Sequence, residues 1–364
     1  MAETLPAARP ADERLRLLDG LRLLAALAVL AFHFTAREHH AWGEPTDEAF
    51  PWLHQFTLYG ALGVQFFFMI SGFVVLMSTW GRSLPQFAAS RIARLYPAYW
   101  FAVLSVIALR LATHPEVSLA DAAVNLTMVQ DAFGAPNVIG VSWTLFVELK
   151  FYLLLGILGL LGITRQRVLA FCALWPLVGA IAQSTGSGLL ESLLVPSFAP
   201  FFAIGMLLYL VYREGWTAPT ALLLGLNWLL TLFLAQSWAL PFLERHAEPG
   251  QWWVVALACT AMIGLILLAT RTRLARLRWR WLTVAGAITY PLYLLHEAWG
   301  RHLILLLHEH VPKYVLLVGV SLLMIAVAYL VHRFVERPLG PPLRRALERG
   351  FSPAAGRGSD ARDG

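Results

Sequence analysis

Residues 17–36 read Leu-Leu-Asp-Gly-Leu-Arg-Leu-Leu-Ala-Ala-Leu-Ala-Val-Leu-Ala-Phe-His-Phe-Thr-Ala. As a helix, such a run is about 30 Å long at 1.5 Å per residue, the thickness of a bilayer's hydrocarbon core. It nevertheless carries Asp19, Arg22 and His33, and a charge at the bilayer centre costs at least about 2.5–3.5 kcal/mol. Eleven residues at 100° each bring Arg22 and His33 within about 20° of one another around the helix. Asp19 lies near the same face, with Ala26 and Val29 between the two ends. One stripe therefore reads acid and base, then small residues, then an imidazole. The plainer reading anchors Asp19 and Arg22 at one headgroup layer and leaves His33 at the other.

The rest of the chain supports a membrane setting. Of 364 residues, 58% are hydrophobic and 14% charged, against about 25% charged in soluble globular chains. Mean hydropathy is +0.63, and 14 Trp suit a protein with two lipid–water interfaces. A cytosolic enzyme, a disulfide scaffold and a disordered chain are excluded. Cys172 and Cys259 sit inside apolar runs and read as small core residues. The net charge of +6 forms no stripe interleaved with aromatics, so nucleic acid is not an expected partner.

An all-α, polytopic protein with about ten transmembrane helices is expected. The apolar runs lie at about 17–36, 58–79, 97–112, 141–162, 167–183, 195–212, 219–237, 252–270, 283–306 and 314–335. Alternate loops collect the arginines: Arg14 and Arg16, then Arg82, Arg91 and Arg94, then Arg165 and Arg167, Arg213, and the run from Arg271 to Arg280, with Arg333 to Arg349 in the tail. The opposite loops offer Arg37, Arg245, Arg301 and Lys313 amid acids such as Glu44, Asp47, Asp121 and Asp131. Positive-inside bias then puts both termini in the cytoplasm. The first span reads as uncleaved, because no A-x-A-like site follows it. Residues 1–345 form one transmembrane domain in this reading, and 346–364 a disordered cytoplasmic tail. The sequon at Asn125 reads as chance, and Gly156, Gly159 and Gly162 as a packing stripe.

Further ionisable groups fall inside predicted spans. Glu148 lies about 10 Å below the start of the fourth run, on the face shared by Ser142, Leu145 and Tyr152. His296 and Glu297 lie in the outer third of the ninth, after Tyr290 and Tyr293. His33, Glu148 and His296 are thus expected at similar depth from three spans, and all suit proton transfer. Arg91 and Arg94 share a helix face at the start of the third run, where two guanidiniums can clamp a phosphate or simply anchor the helix. His308 and His310 read as interfacial, and no metal-ligand spacing occurs.

These residues fall into a familiar order. Leu17 to Ala25 ending in His33, with its Arg22, resembles the opening motif of the membrane acyltransferase-3 family. Phe66-Phe-Phe-Met-Ile-Ser-Gly-Phe73 resembles its second-span motif, and Arg91 to Trp100 its Arg-x-x-Arg and Tyr-Pro segment. Ser142-Trp-Thr-Leu-Phe-Val-Glu-Leu-Lys-Phe-Tyr152, Thr289-Tyr-Pro-Leu-Tyr-Leu-Leu-His296 and Phe334-Val-Glu-Arg-Pro338 resemble three more. The likeness runs from about residue 14 to 345. Gln65 departs from it, standing where the second-span motif often has an acid. The form resembled is the stand-alone one, without the appended extracytoplasmic esterase-like domain.

The resemblance implies a stand-alone O-acyltransferase of the surface-polysaccharide-acetylating type. It would move an acyl group, acetyl by default, from cytoplasmic acyl-CoA to a carbohydrate hydroxyl on the extracytoplasmic side, with no metal. The acceptor would be a surface polysaccharide or exopolysaccharide, free or lipid-linked, or alternatively an antibiotic or other small-molecule sugar. The membrane would be a bacterial inner membrane. In this scheme Arg91, Arg94 and Arg22 hold the donor, and His33 is the general base or acyl carrier. Glu148 orients His33, while Ser71, Tyr152 or His296 bind the oxyanion or acceptor. The competing class is a proton-coupled transporter or flippase, against which stands the lack of paired Gly/Pro-broken segments in the two halves.

Overall fold

The computed structural model describes residues 15–37, 39–113, 118–238 and 252–351. Arg14, Glu38, Pro115, Glu116, Arg245, Pro249 and the expected tail 352–364 lie outside the described residues. Those described are helical or loop, with no strand among them. The long helices are α1 (Arg16–Thr35), α2 (Gly63–Thr79), α3 (Leu84–Thr113), α4 (Trp143–Leu161), α5 (Arg165–Ser184), α6 (Ala199–Glu214), α7 (Ala218–Trp238), α8 (Trp252–Arg271), α9 (Arg280–Leu307), α10 (Lys313–Val331) and α11 (Arg337–Phe351).

Among the described residues nine helical segments are long and apolar enough to cross a membrane. The expected ninth run is formed as α9, whose 28 residues extend about 42 Å at 1.5 Å per residue. It is too polar to count with the nine, and its polar groups are buried: Thr289, His296 and Glu297 are each at most 5% exposed. The third run needs correction. The apolar run marks it only from about 97 to 112, but α3 begins at Leu84 and carries Pro97 inside. Arg91 and Arg94 consequently stand on a formed helix rather than at its entrance. The last run is also extended, as a π-turn at His332–Glu336 leads into α11. That helix takes in 346–351, the first residues of the expected disordered tail.

Two helix pairs position the site. α6 is apolar all round, and every residue from Ala199 to Val211 is buried, as befits a helix enclosed by others. It lies against α2, where Phe202 packs on Phe68 with ring centroids 4.7 Å apart. α1 runs along α9, with Ala26, Leu30 and Phe34 packed among Ile288, Leu292 and Ile304. This second pairing brings His33 against His296.

Candidate active site

Two neighbouring cavities hold the expected site residues other than His296. The first, of about 340 Å³, is lined by Arg22, Arg82, Arg91, Arg94 and Arg344 together with Ser71, Glu148, Tyr152, Tyr290 and Tyr293. Five guanidiniums facing one carboxylate make it strongly cationic. Arg91 donates to Ser78 Oγ at 3.2 Å and lies 5.8 Å from the Tyr152 ring centroid. The Ser71 and Tyr152 hydroxyls donate to Glu148 Oε1 at 2.5 and 2.7 Å.

The second cavity, of about 320 Å³, is lined by Val29, His33, Arg37, Gln65, Trp143 and Tyr293, among others. Val64 and Tyr293 line both cavities, so they form the wall where the two meet. Tyr293 is fixed there by Thr144. The Thr144 hydroxyl donates to the Val141 carbonyl at 2.9 Å, which leaves its oxygen to accept the Tyr293 phenol, also at 2.9 Å.

Hydrogen bonding sets the tautomers of the two histidines. His33 Nδ1 lies 2.8 Å from the Val29 carbonyl, which can only accept, so Nδ1 carries the proton. His296 Nδ1 faces the Leu292 and Tyr293 carbonyls at 3.1 and 2.9 Å, so it too is protonated. His296 Nε2 is then a bare acceptor, 3.2 Å from His33 Nδ1. The outcome is a His33 whose Nε2 keeps its lone pair, on a ring held in the wall of a cavity. That is the form a general base needs, and the same two acceptors would stabilise the imidazolium once a proton is taken.

This geometry revises several expectations. Arg22, Arg91, Arg94, Ser71, Glu148 and Tyr152 do come together, and His33 meets His296. Glu148, expected to orient His33 or stabilise its imidazolium, is instead bonded to Ser71 and Tyr152 in the other cavity. Both of those hydroxyls point their protons at that carboxylate. His296 is bonded to His33 and lines neither of the two cavities. Ala26 packs toward α9 and α10, so of the two small residues in that stripe Val29 lines a cavity. Sequence reading missed Arg37, Thr144 and Tyr293 as site residues. It counted Arg82 and Arg344 for topology only, since nothing local shows that α11 folds back over the first cavity. Tyr293, one turn before His296, was the available signal. Among the described residues there is no cluster of His, Cys, Asp or Glu that could hold a metal.

A third histidine braces the loop after α1. The Ala41 N–H donates to His39 Nδ1 at 3.2 Å, so His39 Nε2–H donates to the His33 carbonyl at 2.9 Å. Burial lowers the His39 pKa to about 4, against the pull of that carbonyl, with Arg301 and Arg37 adding to the drop. A histidine whose folded pKa is below its unfolded value of about 6.5 contributes stability above pH 6.5 and loses it as pH falls toward 4. Thermal unfolding at pH 7 and pH 5 should therefore show a larger fall in Tm for the wild type than for His39→Gln.

A family model described as an acyltransferase domain matches residues 15–333. The chain is similar to the peptidoglycan O-acetyltransferase OatA of Listeria monocytogenes, 29% identical over 159 residues that cover 38% of this chain and 23% of the relative. It is also similar to the acyltransferase MdmB of Streptomyces mycarofaciens, 37% identical over 154 residues that cover 40% of this chain and 39% of the relative. The matched stretches thus span well under half the length of these curated relatives. No solved structure gives a significant match.

Proposed function

Because the chain belongs to the acyltransferase-3 family, we propose that it is a membrane O-acyltransferase carrying an acyl group, acetyl by default, from acyl-CoA to a carbohydrate hydroxyl. The observation that carries this reading is the meeting of the two cavities at Val64 and Tyr293. One is built for a polyanion and the other holds an unprotonated imidazole nitrogen. Phosphates of the CoA sit among Arg22, Arg91, Arg94, Arg82 and Arg344, where charge-assisted and bidentate bonds are strong. The thioester arm passes the Val64–Tyr293 wall and presents its carbonyl to His33.

In the chemical step the acceptor oxygen attacks the thioester carbonyl carbon while His33 Nε2 takes the hydroxyl proton. The C–S bond then breaks, and the imidazolium returns that proton to the departing thiolate. Direct attack and an acyl-His33 intermediate both satisfy this geometry. Arg37, in the same cavity as His33, is the cation positioned to steady the oxyanion. By the distribution of arginines, the first cavity opens to the cytoplasm, both termini are cytoplasmic, and the second cavity faces the extracytoplasmic side of a bacterial inner membrane. Residues 1–345 act as one domain in this reading. The acceptor is a surface polysaccharide, free or lipid-linked, the relative named as a peptidoglycan O-acetyltransferase supporting a wall glycan; an antibiotic or other small-molecule sugar is the alternative.

The test is acyl-CoA consumption by purified protein in vesicles of known orientation, with CoA thioester on one side and glycan extract on the other. Thioester supplied on the tail side should be consumed and acylated glycan recovered across the membrane. Arg91→Ala with Arg94→Ala should weaken CoA binding at least tenfold, with the residual affinity less sensitive to salt. Unchanged CoA affinity in that double variant would remove the first cavity from donor binding.

A further inference from the structure

A third cavity, of about 640 Å³, adjoins the histidine site and has no part in the chemistry above. Its lining includes His39, Arg110, Gly140, Glu297, Arg301 and His302. The volume lies within the range of about 300–1,000 Å³ typical of small-molecule sites. Its wall is tied to the catalytic histidine, since His39 holds the His33 carbonyl.

Glu297 forms the partition between this vestibule and the His33 cavity. Its side chain is 6% exposed, and Oε1 accepts from Arg37 at 2.8 Å and lies 3.6 Å from Arg301. Arg37 lines the His33 cavity while Glu297 and Arg301 line the vestibule, so the ion pair stands between them. Among the described residues Oε2 has no hydrogen-bond partner, and neither does Arg301 Nε. A carboxylate oxygen left unpaired in such burial costs free energy. The backbone is shaped around it as well. A Cβ at Gly140 would lie 2.2 Å from Glu297 Oε2, so only glycine lets the carboxylate rest there.

We propose that this vestibule is the acceptor subsite, taking a hydroxyl-rich sugar ring, and that Glu297 receives one of its hydroxyls through Oε2 when the Arg37–Glu297 pair parts to admit it. A sugar hydroxyl both donates and accepts, and so satisfies an orphan carboxylate oxygen and an orphan guanidinium N–H together. Arg110, His302 and Arg301 supply further donors. Parting of the pair frees Arg37 on the His33 side at the moment the acceptor arrives. The inference rests on the transferase reading for its chemistry, but the binding it asserts is testable alone.

The experiment places a cysteine at His302 and labels it with a membrane-impermeant maleimide. The native Cys172 and Cys259 are buried, which keeps background labelling low. The probes are a chitin tetrasaccharide, standing for wall glycan, and an aminoglycoside, standing for small-molecule sugars. The probe that the wild type acylates should slow labelling of His302→Cys at least fivefold, and adding Glu297→Gln should erase that protection. In transfer assays Glu297→Gln and the vestibule-filling His302→Trp should each raise the acceptor KM at least tenfold while leaving CoA affinity unchanged. Labelling that is indifferent to the sugar the wild type acylates, or an unchanged acceptor KM in His302→Trp, would overturn the proposal. Protection by a sugar without thioester consumption under any condition would keep the subsite and defeat the transferase reading instead.

Discussion

His33→Ala is expected to lower acyl transfer by 10²–10⁴-fold, the usual contribution of a positioned general base, or about 2.7–5.5 kcal/mol of barrier at 1.36 kcal/mol per decade. The loss should fall on kcat, because the proposed CoA contacts lie in the other cavity. His33 is held by one backbone carbonyl, which also serves the helix, and by His296 Nε2; the variant frees that one acceptor beside the cavity that the missing ring enlarges, and should still fold. The vacated ring leaves space beside a cavity of about 320 Å³, and added imidazole should restore part of the rate. His296→Gln should cost far less, since the Val29 carbonyl alone still keeps the proton on Nδ1. Steady-state kinetics with and without imidazole check both. Retained turnover in His33→Ala would take that residue out of the chemistry.

The second large effect concerns folding. α2 and α6 touch backbone to backbone at two glycines: a Cβ on Gly205 would sit 1.9 Å from the Met69 carbonyl oxygen, and one on Gly72 2.1 Å from that of Phe202. Overpacking a core ordinarily costs about 1–3 kcal/mol, where side chains can move aside. Here the obstacle is the main chain of α2, and Gly205 itself lies on a helix buried from Ala199 to Val211, so Gly205→Ala should cost more than about 3 kcal/mol. Against a total stability of about 5–15 kcal/mol, that is enough to send much of the protein to aggregate on size exclusion in mild detergent. Gly225→Ala is the control, as nothing lies within 4 Å of its Cβ position. It should be neutral or stabilise by about 0.5–1 kcal/mol, the helix penalty of glycine. Close approach at small residues is how helices associate where lipid offers no hydrophobic drive.

The amino-acid sequence by itself determined the membrane setting, the all-helical class and the choice of Arg22, Arg91, Arg94, Ser71, Glu148 and Tyr152 as site candidates. Each rests on a local quantity: hydropathy over about twenty residues, the 100° step of a helix, or a motif within a dozen positions. The same local rules failed at the third run, which apolar residues mark only from about 97 although its helix begins at Leu84. Which groups share a cavity was decided only by tertiary structure, because it depends on the rotation of one helix against another. A rotation of one residue's step would carry His33 from His296 to a different neighbour, and no count along a single span records it. So Glu148, expected beside His33, is bonded to Ser71 and Tyr152 instead. Arg344 reaches the first cavity from more than 300 residues after Arg22 because α11 folds back there. The tautomer that leaves His33 Nε2 free likewise depends on carbonyls and a second imidazole, whose placement comes from the packing of α1 on α9.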